Sequence, residues 1–139
     1  MDSYVKYRLE TSAERLCVAK ELLDNKHYRD SINRSYYAIF STLRALLATR
    51  RVDFAKHSAV IGYFRREYIK TKIFDTKFSD YVGDAFNFRN DCDYEDFVIV
   101  TREDALNQYE HARELYELVK KYLEDGKEML GSDVIANKH

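Results

Sequence analysis

The chain has 139 residues, enough for one domain with a sizeable core, and its charged residues (34%) are of both signs with a net charge of -1. That balance excludes a global basic field for gripping nucleic acid, although a local basic patch stays open. The lack of proline and the presence of only four glycines remove the punctuation that an all-β fold needs. The two cysteines, Cys17 and Cys92, show no CxxC spacing, and nothing about them suggests a disulfide framework. No apolar run approaches the roughly 20 residues that span a bilayer. Met1-Asp2-Ser3-Tyr4 lacks a basic segment followed by an apolar one, so no signal peptide is expected and a cytoplasmic protein is the default.

The first helix is predicted from about Tyr4 to Leu23, because Val5, Leu9, Ser12, Leu16, Ala19 and Leu23 follow three-four spacing. Asp24-Asn25-Lys26 reads as a break. The second runs from about Tyr28 to Ala48 on a stripe of Ile32, Tyr36, Ile39, Phe40, Leu43, Leu46 and Leu47. A connection this short packs the two antiparallel. A loop over Arg50 to Lys56 leads to a third helix, Ser58 to Ile69. Asp75 or Thr76 would cap a fourth, Lys77 to Asn90, with Phe78, Tyr81, Val82, Ala85, Phe86 and Arg89 on one side. Cys92 to Val100 reads as a surface loop. Thr101, with Asp104 three residues on, then caps a fifth helix in a box-like arrangement. Ala105, Tyr109, Ala112, Tyr116, Val119 and Leu123 carry its pattern. The expected architecture is an all-α, antiparallel bundle of about five helices over residues 1–125, with a frayed tail over 126–139.

Three features carry chemistry. On the second helix, Asp30, Arg34, Tyr37, Ser41 and Arg44 fall at three-four spacing on a face apart from the apolar stripe. The plain reading is a solvated face with an Asp30–Arg34 pair worth about 0.3 kcal/mol. The functional reading is a phosphate-facing strip, since guanidiniums bind oxyanions bidentately and hydroxyls position them. Arg89 is more telling, because it shares a helical face with Phe78, Val82 and Ala85, where a guanidinium is costly to desolvate. It must snorkel, pair with Asp93 or line a site that also includes Asn90 and Tyr94. His57, at the start of the third helix, either caps or reaches the same groove. No Glu-x-x-His occurs, which argues against a di-metal bundle, and no glycine-rich phosphate loop is present. No cofactor and no metal are expected.

The run Tyr28-Arg29-Asp30-Ser31-Ile32-Asn33-Arg34-Ser35-Tyr36-Tyr37-Ala38-Ile39-Phe40, followed by His57 and then by Arg89-Asn90-Asp91-Cys92-Asp93-Tyr94, resembles the HEPN domains (higher eukaryotes and prokaryotes nucleotide-binding). The similarity is to the small prokaryotic stand-alone branch and covers roughly Tyr7 to Leu123. It implies an antiparallel helical bundle that often dimerises. Many such proteins are ribonucleases or toxins, and some pair with a minimal nucleotidyltransferase. The family's ribonuclease motif is an arginine, four to six residues, then a histidine. Arg89 matches the arginine and Asn90 the polar residue beside it, but Tyr94 stands where the histidine would be. A phenol, with an ordinary pKa of about 10, is a poor general base at neutral pH.

Three functions follow from this reading. The first is an RNA- or nucleotide-binding component of a toxin–antitoxin or defence-type system, working through Arg34, Tyr37, Asn90, Asp93 and Tyr94 around Arg89. The second is an atypical metal-independent ribonuclease, with Arg89 stabilising charge on the phosphorus centre and His57 moving the proton. The third is a structural dimerisation or adaptor bundle. In a homodimer, the two Arg89 side chains would share one groove. The resemblance also carries a role for Tyr94 as acceptor of a nucleotidyl group from the partner.

Overall fold

A computed structural model describes residues 1–94 and 99–126, without the side chains of residues 91–94. Five α-helices form the described part: α1 (Ser3–Asp24), α2 (Tyr28–Ala48), α3 (His57–Phe64), α4 (Lys77–Tyr94) and α5 (Arg102–Glu124). None of them is long and apolar enough to cross a membrane. The tail 127–139, expected to fray, lies outside the described residues.

Local chemistry starts and stops these helices as the sequence suggests. Asp2 accepts the Tyr4 N–H at 2.7 Å to open α1. Asp75, rather than Thr76, lends its carboxylate to α4 by accepting the Lys77 N–H at 2.9 Å. Thr101 and Asp104 form a reciprocal capping box on α5, at 3.1 and 3.0 Å. Gly126 takes a φ of 71° just beyond α5. That left-handed residue ends the helix at little cost because it has no Cβ. The turn between α1 and α2 demands the same conformation of a lysine, Lys26 at φ 67°.

Helix α2 is the central element. Its apolar stripe is fully buried, and so are the small polar residues Ser31, Ser35, Ser41 and Thr42. Ser12 of α1 donates to the Ala38 carbonyl at 2.8 Å and shares a hydrogen bond of 2.6 Å with Thr42. Ser31 donates to the Ala19 carbonyl at 2.8 Å. Numbering rises along one helix as it falls along the other, so α1 and α2 are antiparallel, as the short connection requires. Hydroxyls at these crossings let the helices approach closely, each bond contributing about 1 kcal/mol.

Two helices depart from expectation. The third begins at His57 and changes after Phe64 into a π-helical turn, Arg65–Ile69. Its wider ring is closed by the Lys70 N–H on the Arg65 carbonyl at 2.8 Å. Phe64 and Tyr68 both remain buried through it, with ring planes stacked at 6.1 Å. A three-four apolar pattern tolerates either winding, so spacing alone could not reveal the change. The fourth helix does not end at Asn90 but continues through Tyr94. No glycine or proline occurs in Asp91-Cys92-Asp93-Tyr94 to stop it. The backbone therefore does not turn at Asn90, and Asp93 and Tyr94 continue the helix instead of folding back over its last turn. The side-chain positions expected for Asp93 and Tyr94 lie outside the described residues.

Candidate functional site

Helix α4 buries Phe78, Val82 and Ala85 against the core, and one further turn brings Arg89 to the same side. The guanidinium is half-buried. It donates from Nη2 to the Tyr37 hydroxyl at 3.0 Å. Its central carbon lies 4.9 Å from the Tyr36 ring centroid and 5.5 Å from that of Tyr37. Each such cation–π contact contributes about 0.5–1 kcal/mol, more where water is excluded. The tyrosine pair of α2 thus forms a platform for the arginine of α4. Sharing a face with apolar residues is possible for Arg89 because the surface it meets is aromatic rather than aliphatic.

His57 completes the cluster from the start of α3. Its Nδ1 is hydrogen-bonded to the Tyr36 hydroxyl, and its ring stacks on Phe40 at 4.2 Å. The Tyr37 ring lies edge-on at 6.4 Å. Burial, followed by the nearby positive charges of Arg44 and Arg89, holds the imidazole pKa below its usual value of 6.5. His57 is therefore mainly neutral at neutral pH, with one nitrogen engaged by Tyr36.

The polar strip expected on α2 does not stay together. Arg34 is exposed, Tyr37 is half-buried and Ser41 is almost fully buried. Arg44 turns away to the α2–α3 loop, where Nη2 donates to the Phe54 carbonyl at 3.2 Å and Nε lies 3.6 Å from Asp53. The Asp30–Arg34 pair is not formed, and Arg34 makes no ion pair among the described residues. A central helix meets neighbours on several sides, so three-four spacing on it need not mark one solvent face. Asn90 is half-buried beside Arg89 on α4.

One residue of the cluster escaped sequence reasoning. Arg15 of α1 donates from Nη1 to the Tyr37 carbonyl at 3.3 Å and to the Ser41 hydroxyl. Its guanidinium carbon is 5.6 Å from the Tyr37 ring centroid. Tyr37 is thus flanked by two guanidiniums, from α1 and from α4. Burial and the like charges of Arg8 and Arg34 lower the Arg15 pKa, yet a guanidinium stays cationic in a protein. The only sequence signal was an arginine between the buried positions Ser12 and Leu16, which is common on amphipathic helices.

This is an electropositive, partly buried cluster of arginine, tyrosine and histidine, suited to holding an oxyanion. The family model for the HEPN domain matches residues 5–122. The chain belongs to the HEPN family. It is similar to two archaeal and bacterial proteins over most of their lengths. One is "Putative toxin MJ0142" of Methanocaldococcus jannaschii, 32% identical over 117 residues that cover 84% of this chain and 80% of that protein. The other is a "UPF0332 protein" of Thermotoga maritima, 30% identical over 124 residues that cover 89% of this chain and 94% of that one. A further relative, "Putative toxin MJ0605" of the same archaeon, is 35% identical over 86 residues, 62% of this chain and 64% of the relative. The HEPN match reaches into every helix named above, and Arg89, Tyr37, Tyr36 and His57 all lie inside it.

Proposed function

We propose that this HEPN protein binds a phosphate group of RNA or a nucleotide at Arg89, as a component of a toxin–antitoxin or defence-type system. The observation that carries the reading is the Arg89–Tyr37 hydrogen bond at 3.0 Å. It holds a half-buried guanidinium in one orientation, the preorganisation that oxyanion recognition rewards. Tyr37 supplies a hydroxyl next to that fork, while Arg34 and Arg15 add positive charge. Asn90 lies on the adjoining position of α4, and Asp93 and Tyr94 follow on the same helix. The names of the relatives support a toxin-like role. A homodimer with the two Arg89 clusters facing one groove, in the cytoplasm, and a nucleotidyltransferase partner that modifies Tyr94 complete the proposal.

A second reading is favoured by a specific contact. His57 is coupled to Arg89 through the Tyr36 ring, and its imidazole is kept neutral, as a general base must be. In an atypical metal-independent ribonuclease, His57 would take the 2′-hydroxyl proton while Arg89 stabilises the charge that develops on the phosphoryl oxygens. The adaptor reading has no such contact in its favour.

The test uses fluorescence anisotropy of a labelled 12-nucleotide RNA, followed by gel analysis of the same mixture. Binding by the wild-type protein and its loss in Arg89→Ala are expected. RNA cleavage that survives chelation and disappears in His57→Ala would establish the second reading. Equal behaviour of wild-type and Arg89→Ala proteins would overturn both.

A further inference from the structure

The outward face of α1 carries an arrangement that no part of the Arg89 cluster requires. Tyr4 and Tyr7 are 46% and 58% exposed, the only large aromatic residues so exposed among those described. Arg8 donates to the Tyr4 hydroxyl from Nε at 3.2 Å, with its guanidinium carbon 5.0 Å from that ring. Arg15 follows seven residues later, about 10 Å along the helix axis and on nearly the same side. The positive charges of Arg8 and Arg34 both act on Arg15, as does the nearby Tyr7. Arg8, Arg15 and Arg34 have no carboxylate within ion-pair distance among the described residues.

In a chain with net charge -1, clustering these cations is unfavourable unless something anionic offsets it. Arg113 and Lys77 elsewhere on the surface are each paired with a glutamate, so pairing is available to this fold. The face is also continuous with the site. Arg15 and Arg89 each lie over the Tyr37 ring, and their guanidinium carbons are 5.6 and 5.5 Å from its centroid. Guanidiniums interleaved with open aromatic faces match a flexible polyanion whose units each carry a phosphate and a planar ring. An acidic peptide lacks the ring, and a duplex hides its bases.

We propose that Tyr4, Tyr7, Arg8, Arg15 and Arg34 form a track for single-stranded polynucleotide leading to Arg89, with phosphates on the guanidiniums and bases against the two exposed tyrosines. The proposal rests on phosphate binding at Arg89 and extends it from a single phosphate to a polymer. From Tyr4 to Arg15 the track is about 16 Å long.

Anisotropy with the 12-nucleotide RNA at several salt concentrations, alongside calorimetric titration with AMP, tests the track. With four arginines engaged, the slope of log affinity against log salt should be about -2.8, at roughly -0.7 per phosphate on a single strand. Arg8→Gln and Arg34→Gln should each reduce its magnitude by about 0.7. Tyr4→Ala/Tyr7→Ala should weaken RNA binding about tenfold or more and leave AMP unchanged. Tyr4, Tyr7 and Arg34 are exposed and Arg8 is half-buried, so the variants keep the fold even if Arg15→Gln does not. If the Arg8, Arg34 and tyrosine variants bind RNA with wild-type affinity and slope while Arg89→Ala does not, the track is wrong and the Arg89 site stands. If polyglutamate competes as well as RNA, the face is an unselective anion patch and the proposal fails. If neither RNA nor AMP binds the wild-type protein, both the track and the Arg89 reading fall.

Discussion

Arg89 and Tyr37 lie 52 positions apart in sequence, yet the guanidinium of one donates to the hydroxyl of the other at 3.0 Å. The bond joins the last turns of α4 to the middle of α2. It also makes a half-buried tyrosine of the polar strip on a central helix the positioning group for a cation. Arg15 approaches the same ring from α1, so three helices meet at Tyr37.

Removing either partner should separate binding from folding. Arg89→Ala loses the hydrogen bond to Tyr37 and the cation–π contacts with Tyr36 and Tyr37, together about 1–3 kcal/mol. It should lower the melting temperature by roughly 3–8 °C and abolish detectable RNA binding. Tyr37→Phe keeps the ring and loses only the hydroxyl, for about 1 kcal/mol. Its RNA binding should weaken because the guanidinium is no longer oriented. Calorimetry and anisotropy on the same preparations measure both quantities. Arg89→Ala protein that is unfolded at 25 °C would show the arginine to be structural.

His57 makes stability depend on pH. Its folded pKa is held below 6.5 by burial and by Arg44 and Arg89. Below pH 6.5 the unfolded chain therefore takes up protons that the folded chain resists, and stability falls as pH falls through that window. His111, stacked on Tyr81 at 3.9 Å, is lowered by burial, with Asp84, Glu114 and Glu110 opposing the shift, so it acts in the same direction. The melting temperature should decline between about pH 7 and 5. His57→Gln should flatten the decline without removing it, because His111 remains. An unchanged slope in His57→Gln would show that the imidazole titrates normally.

Gly83 sits inside α4, where a Cβ would come within 2.6 Å of the Arg65 Nη2. That atom is the far end of an exposed, flexible side chain, held by bonds to Ser79 at 2.9 and 3.3 Å. Arg65 can swing aside at the cost of an exposed hydrogen bond. Replacing a helical glycine by alanine gains about 1 kcal/mol in propensity. Gly83→Ala should therefore raise the melting temperature by a few degrees, about 2–5 °C, in thermal denaturation followed by circular dichroism. A lower melting temperature would mean that Arg65 is fixed more firmly than its exposure suggests.

The proposed dimer is tested by sedimentation. A species of twice the chain mass is expected at tens of micromolar, with the two Arg89 clusters close together. A disulfide placed across the twofold axis from Asn90→Cys should then cross-link the subunits. A monomer that persists at high micromolar concentration would overturn the shared groove.

The sequence by itself determined the helices and most of their ends. Apolar spacing of three and four residues, the Thr101–Asp104 box and the glycine at 126 are local signals, and each acts within about one helical turn. Arg89 was legible for the same reason, since a cation in an apolar stripe conflicts with its own helix. The winding after Phe64 and the continuation of α4 past Asn90 were not legible, because several backbone paths satisfy the same pattern. Which side chains meet was a tertiary decision. Ser41 looked solvent-facing beside Arg34 until α1 covered it, and Arg44 looked like its neighbour until the loop at Phe54 drew it away. Arg15 and His57 joined the cluster only through helix packing, across 22 and 21 residues. Periodicity describes one helix against an unspecified interior, whereas a site depends on which faces of several helices meet.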